Sequence, residues 1–99
     1  VRQEGLLTLM EALRKMTIEP ARRLEARVPA MARKGRLGLG ADADITIFDP
    51  ATVIDGSTYE DATVPAAGIP YVIVGGVVVV DSTELTDARP GRAIRAPVR

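Results

Sequence analysis

The acidic side chains are the first candidates for chemistry in this chain. Asp42, Asp44 and Asp49 flank one apolar segment, and Glu60 and Asp61 stand side by side further on. Spaced aspartates invite a calcium site. Calcium needs a larger set of oxygen donors, and the distal Glu of an EF-hand loop is absent. The three aspartates therefore read as turn-forming and strand-flanking residues. Glu60 and Asp61 invite an acid–base pair, but adjacent residues do not face each other in a helix or a strand. Arg22, Arg23 and Arg27 invite a phosphate or carboxylate ligand. Glu19 and Glu25 lie among them and weaken a single-sign field, so a solvated face is the expectation. The same holds for Arg33-Lys34.

The absences narrow the chemistry further. The chain has no His and no Cys. That removes an imidazole base, a thiolate nucleophile, a disulfide framework and the usual zinc ligands. A chain without either can still catalyse through carboxylates, lysine or tyrosine, but the usual hydrolytic machinery cannot be assembled from these residues alone. The formal net charge is zero, which argues against nucleic acid, where a basic field is the main source of affinity. No apolar run approaches the roughly 20 residues of a spanning helix, and no signal-peptide pattern is present. No membrane partner is expected, and the lack of cysteine suits the cytoplasm. The 99 residues, 46% of them apolar, fit one small globular domain. The chain begins at Val1 rather than Met, which fits processing, an unrecorded start or a piece of something longer.

The elements that must position these residues follow from periodicity and turn chemistry. Thr8-Leu9-Met10-Glu11 has the form of a capping box. Leu6, Leu9, Met10, Leu13 and Met16 then recur at helical spacing, which predicts a helix from about Leu7 to Met16 with the methionines as core filler. A second short helix is expected from Pro20 to about Ala26, because proline suits a first turn. Val28 to Lys34 reads as a connecting loop with one helical turn at Ala30-Met31-Ala32. Glycine-marked turns lead into a strand in which Ala43, Ile45 and Ile47 alternate with Asp44, Thr46 and Phe48, ended by Asp49-Pro50. One helical turn at Ala51–Ile54 and an ordered surface loop fill the way to Pro70.

Tyr71 to Asp81 is the clearest element. Two β-branched runs flank Gly75-Gly76, a primed-turn hairpin signal that sets Val74 opposite Val77 and Val72 opposite Val79. Neither arm alternates with polar residues, so both faces should be buried. Here the mass balance fails. Glu84-Leu85-Thr86, a turn and a short tail supply too little to cover such a hairpin. The sheet wants strands that the chain lacks, and the first helix wants a larger partner.

Several landmarks in order resemble one family. They are Ala12-Leu13-Arg14-Lys15-Met16-Thr17 with Pro20-Ala21-Arg22-Arg23-Leu24, then Lys34-Gly35-Arg36-Leu37, then Gly40-Ala41-Asp42-Ala43-Asp44-Ile45 with Phe48-Asp49-Pro50. Thr58-Tyr59-Glu60-Asp61, Gly68-Ile69-Pro70-Tyr71-Val72-Ile73-Val74-Gly75-Gly76 and Ala88-Arg89-Pro90-Gly91-Arg92 complete them. The chain resembles the C-terminal segment of a metal-dependent amidohydrolase, of the N-acyl-D-amino-acid deacylase (D-aminoacylase) type. It departs from that pattern at Gly75-Gly76, usually Asn-Gly, and at Thr83, where glycine is common. The Arg27–Lys34 linker is also longer than in many relatives.

The resemblance implies an α+β fragment of a two-part parent. Residues 1–34 would be the terminal helices and linker of a (β/α)8 barrel. Residues 35–99 would be the C-terminal part of a small composite β-sandwich. The parent would use zinc to hydrolyse an amide bond, and its metal-binding and catalytic residues would lie upstream, so the resemblance implies no catalytic, no cofactor-binding and no metal-binding residue in this chain. The fragment alone would be inactive. Its partners would be the rest of the barrel and, in isolation, another copy. The competing expectations are a free-standing β-rich binding module with the Thr58–Gly68 loop as its contact surface, and a carboxylate enzyme using Glu60 or Asp61.

Overall fold

The computed structural model describes residues 1–98. These described residues are α+β: two helices, a 3-10 segment and one four-stranded antiparallel sheet. These divide into two bodies, Val1–Asp44 with the residues from Gly91 onward, and Ile45–Pro90.

In the first body, helix α1 spans Leu9–Met16. The capping box forms as its sequence dictates. The Glu11 amide donates to Thr8 Oγ1 at 3.3 Å, and the Thr8 amide donates to Glu11 Oε2 at 2.9 Å. Because Thr8 is extended, at φ −70° and ψ 158°, the helix begins at Leu9 and not at Leu7. Helix α2 spans Ile18–Glu25. It starts before Pro20, because a proline inside the first turn gives up an amide that has no intrahelical acceptor anyway. Thr17 separates the helices, and its hydroxyl donates to the Leu13 carbonyl at 2.7 Å. Leu9, Ala12 and Leu13 are half-buried. Met10 and Met16, expected in the core, are exposed. The expected single turn in the linker is a full 3-10 segment, Pro29–Arg33.

The second body is a sheet in the order β1 (Ile45–Ile47), β2 (Tyr71–Val74), β3 (Val77–Asp81) and β4 (Glu84–Leu85). Strand β1 is shorter than its alternation predicts and excludes Ala43 and Phe48. The β2–β3 hairpin turns at Gly75 and Gly76, with φ of 56° and 81°. Positive φ at both central positions is the primed turn that the Gly-Gly pair allows. Val74 faces Val77 as expected, but Val72 faces Val80, not Val79, because the register shifts between Val72 and Ile73. A bulge inserts one residue into β3. Its freed groups are used: the Val79 carbonyl accepts from the Thr86 amide and the Val78 carbonyl from Thr86 Oγ1, both at 2.9 Å. Strand β4 was not expected from the sequence; it pairs Leu85 with Val80 and Glu84 with Asp81. Its turn places Ser82 and Thr83 at φ 50° and 73°. The hairpin is not buried on both faces. Tyr71, Val77 and Val78 are exposed, and the other strand valines are only half-buried.

The long connection from β1 to β2 is pinned at its base. Asp49 donates its amide to the Gly68 carbonyl at 2.9 Å, and Ile54 and Ala67 form an isolated antiparallel bridge. The Asp49 carboxylate accepts from the Ala51 amide and Thr52 Oγ1, which shapes the turn expected after Pro50.

Candidate functional site

The strongest concentration of charge gathers on Lys34. Its ammonium lies 3.0 Å from Asp42 Oδ2 and also pairs with Asp44 Oδ2. Arg33 Nε reaches Asp42 Oδ1 at 3.4 Å. The Asp42 amide donates to the Arg33 carbonyl at 2.9 Å. Two strand-flanking carboxylates thus close the glycine-rich loop back onto the end of the 3-10 segment. Lys34 is held above the ordinary lysine value, first by the hydrogen bond to Asp44 and then by that to Asp42. The expectation that Arg33-Lys34 is a solvated basic end holds for Arg33, whose side chain is 62% exposed, and is corrected for Lys34. The Lys34 side chain is only 23% exposed. Periodicity does not reveal such a clamp, because its partners face each other across a loop. The one signal is a lysine before the glycine turn and two aspartates after it.

The neighbouring turn is equally fixed. Arg36 donates to the Lys34 carbonyl at 2.9 Å and to Glu25 Oε2 at 3.0 Å. Gly35, at φ 66°, lies so close to Thr17 that a Cβ would overlap the Thr17 carbonyl. Met10, Leu13, Ile18, Arg14, Arg22 and Arg36 line a shallow groove beside this contact. Arg14 is paired with Glu19 at 3.1 Å. Among the described residues, the side chains of Arg22, Arg23 and Arg27 form no ion pair or hydrogen bond. They are exposed, and Glu25 goes to Arg36 instead.

Chemistry built from these carboxylates is limited by what they already hold. Asp42 and Asp44 face cations of the chain itself. Asp49 accepts within its own turn. Asp61 accepts from Thr63 Oγ1 at 2.7 Å and from the Thr63 amide at 3.0 Å. These bonds, the side-chain one first, keep it below the ordinary aspartate value, the wrong direction for a group that must carry a proton as a general acid. Glu60 is exposed beside it. Among the described residues, no group of three or more His, Cys, Asp or Glu side chains could hold a metal ion. The residues present do not fit a metal centre.

Comparison with known proteins decides the family. The sequence model of the Amidohydrolase family matches residues 1–80. The chain belongs to the amidohydrolase family. It is 43% identical over 95 residues to N-acyl-D-glutamate deacylase of Alcaligenes xylosoxydans xylosoxydans, covering 96% of this chain and 18% of that enzyme. D-aminoacylase of the same organism is 40% identical over 93 residues, covering 94% and 18%. A dihydroorotase of Syntrophus aciditrophicus (strain SB) is 47% identical over only 58 residues, 57% of this chain and 12% of that enzyme. A crystal structure of D-aminoacylase superposes with a TM-score of 0.82 at 38% identity, over 94% of this chain and 19% of that one. A second D-aminoacylase structure with the same TM-score concerns the role of that enzyme's binuclear metal centre. The chain spans less than a fifth of the length of these relatives.

Proposed function

We propose that this segment is the C-terminal structural portion of a metal-dependent amidohydrolase that cleaves the amide bond of an N-acyl-D-amino acid. The observation that carries the reading is coverage. The likeness to the deacylases runs through nearly the whole chain, whereas that to dihydroorotase covers 57% of it. Residues 1–34 are read as the last helices and linker of a (β/α)8 barrel, and residues 35–99 as the C-terminal share of a composite β-sandwich. The parent's metal, zinc in this reading, takes its ligands from other residues: Asp42, Asp44, Asp49 and Asp61 are engaged by Lys34, Arg33 and local turns, and the described residues hold no cluster of three or more His, Cys, Asp or Glu that could bind a metal. The segment alone is inactive and structural. In isolation it associates with itself through its unpaired sheet edges. The cysteine-free sequence supports a cytoplasmic setting.

The full reading frame tests this. We expect it to run upstream into a His-x-His-containing barrel. Its product should release free amino acid from N-acetyl-D-glutamate or another N-acyl-D-amino acid, with activity lost on chelation and restored by zinc. Opening of a cyclic amide such as dihydroorotate would move the protein to the other branch. A frame that opens at or near Val1, or metal-free hydrolysis by these 99 residues that Glu60→Gln abolishes, would sink the proposal.

A further inference from the structure

Asp55 is the one aspartate that a glycine follows, and the chain holds no asparagine. An aspartyl–glycyl pair carries a reaction of its own. The glycine amide nitrogen attacks the carboxyl carbon of the aspartate side chain. A carbon–nitrogen bond forms, the carbon–oxygen bond of the carboxylic acid breaks, and water leaves with the amide proton. The product is a five-membered succinimide. Water then opens it at either carbonyl. Opening at the main-chain carbonyl leaves the backbone running through the side chain, as isoaspartate. Glycine favours the first step because no Cβ shields its nitrogen and its backbone turns freely.

The fold both keeps this pair and restrains it. Asp55 and Gly56 are exposed. A Cβ on Gly56 would lie 2.8 Å from Val64 Cγ1 and 3.3 Å from the Pro65 carbonyl oxygen, so packing favours glycine there. The Asp55 carboxylate is held by the residue beyond the attacking amide. Its Oδ1 accepts from the Ser57 amide at 2.9 Å and from Ser57 Oγ at 2.8 Å, and its Oδ2 lies 2.9 Å from the same hydroxyl. These bonds, the main-chain one first, keep Asp55 below the ordinary aspartate value. An ionised carboxylate is the wrong form to lose water. Asp61 is the internal comparison: its Oδ1 accepts from the Thr63 amide and hydroxyl in the same pattern, but Ala62 follows it. Beside Asp55, the Ile54–Ala67 bridge closes the base of the loop, so the extra backbone carbon of isoaspartate falls next to that closure.

We propose that Asp55–Gly56 is a site of isoaspartate formation that Ser57 latches in the folded protein. The product frees a carboxylate on the α-carbon of residue 55. It is the substrate of an isoaspartyl methyltransferase: the carboxylate oxygen takes a methyl group from a sulfonium donor, which leaves as a thioether. The inference does not depend on the deacylase reading.

Full-length wild-type, Ser57→Ala and Ser57→Thr proteins are aged at one neutral pH, each native and in urea. Isoaspartate is read as labelled methyl transferred by a purified isoaspartyl methyltransferase, and peptide mapping places it. In urea we expect residue 55 to convert about tenfold faster than residue 61. In native wild type, residue 55 should convert about tenfold more slowly than in urea, because the loop must open first. Native Ser57→Ala should convert about fivefold faster than native wild type, with no change in urea. Ser57→Thr, which keeps both donors, should age like wild type. Equal conversion of residues 55 and 61 in urea overturns the site. Equal native rates for wild type and Ser57→Ala overturn the latch, as does Ser57→Thr ageing like Ser57→Ala. Native wild type converting as fast as in urea overturns the latch without any variant.

Discussion

Lys34 shows how a side chain that resembles surface decoration can hold a segment in place. One ammonium serves two carboxylates, and the three side chains are each roughly a quarter to a third exposed. Lys34→Met leaves Asp42 and Asp44 facing each other without their shared cation. We expect a loss of about 1 kcal/mol in the full-length protein, read from its denaturation midpoint, with the loop 35–41 opening to proteolysis. The pH dependence has a definite sign. The folded-state pKa of Lys34 is raised, so its contribution is complete below the ordinary lysine value and is lost as pH rises through the raised one. Glu11 behaves oppositely. Its pKa is lowered, first by the Thr8 hydroxyl and then by the Thr8 amide. Its contribution is present above the ordinary glutamate value and is lost as pH falls through the lowered one. Carboxylate titration followed by NMR should place Glu11 below the ordinary glutamate value. A Glu11 that titrates at that value would mean that the capping box does not hold its carboxylate.

The elements divide by how local their causes are. The capping box, the Gly75-Gly76 hairpin and the strand before Asp49-Pro50 were legible, because each is written in neighbouring residues. The β3 bulge was not, because it depends on Thr86, which reaches back across a turn to the Val78 and Val79 carbonyls. Strand β4 escaped for a related reason: two residues carry no period, and the turn before it uses Ser82 and Thr83 in place of glycine. That turn yields a prediction. A β-branched residue at φ 73° carries about 1–2 kcal/mol of left-handed strain, against about 0.4–1 kcal/mol of extra unfolded-state freedom for glycine. Thr83→Gly should therefore stabilise by about 0.5–1 kcal/mol, seen as a higher midpoint in urea; a lower midpoint would mean that the Thr83 side chain makes a contact that outweighs the strain. Gly35→Ala should go the other way. It adds left-handed strain and drives a Cβ into the Thr17 carbonyl between α1 and α2, for a cost of about 3 kcal/mol in the same measurement.

For the molecule as a whole, the decisive quantity is the core it lacks. The sequence already showed the shortage, in a hairpin apolar on both arms with nothing downstream to cover it. What it did not show was which residues bear the exposure, because helical periodicity assigns Met10 and Met16 to a buried face whether or not a neighbour is there to bury them. Ordering a chain costs about 1–2 kcal/mol of backbone entropy per residue, and apolar burial must offset it. With Ala21 the one buried apolar side chain among the described residues, the isolated 99-residue chain cannot recover that cost from its own contacts. We expect its thermal unfolding to be broad, with no cooperative heat-absorption peak, and its elution in size-exclusion chromatography to shift with concentration as apolar surface and sheet edges find other copies. The free-standing module predicts the reverse: a sharp two-state transition, a denaturant slope proportionate to a domain of this length, and one concentration-independent monomer peak. Calorimetry and chromatography on the same preparation therefore separate a segment that folds as part of a longer enzyme from a domain that folds for itself.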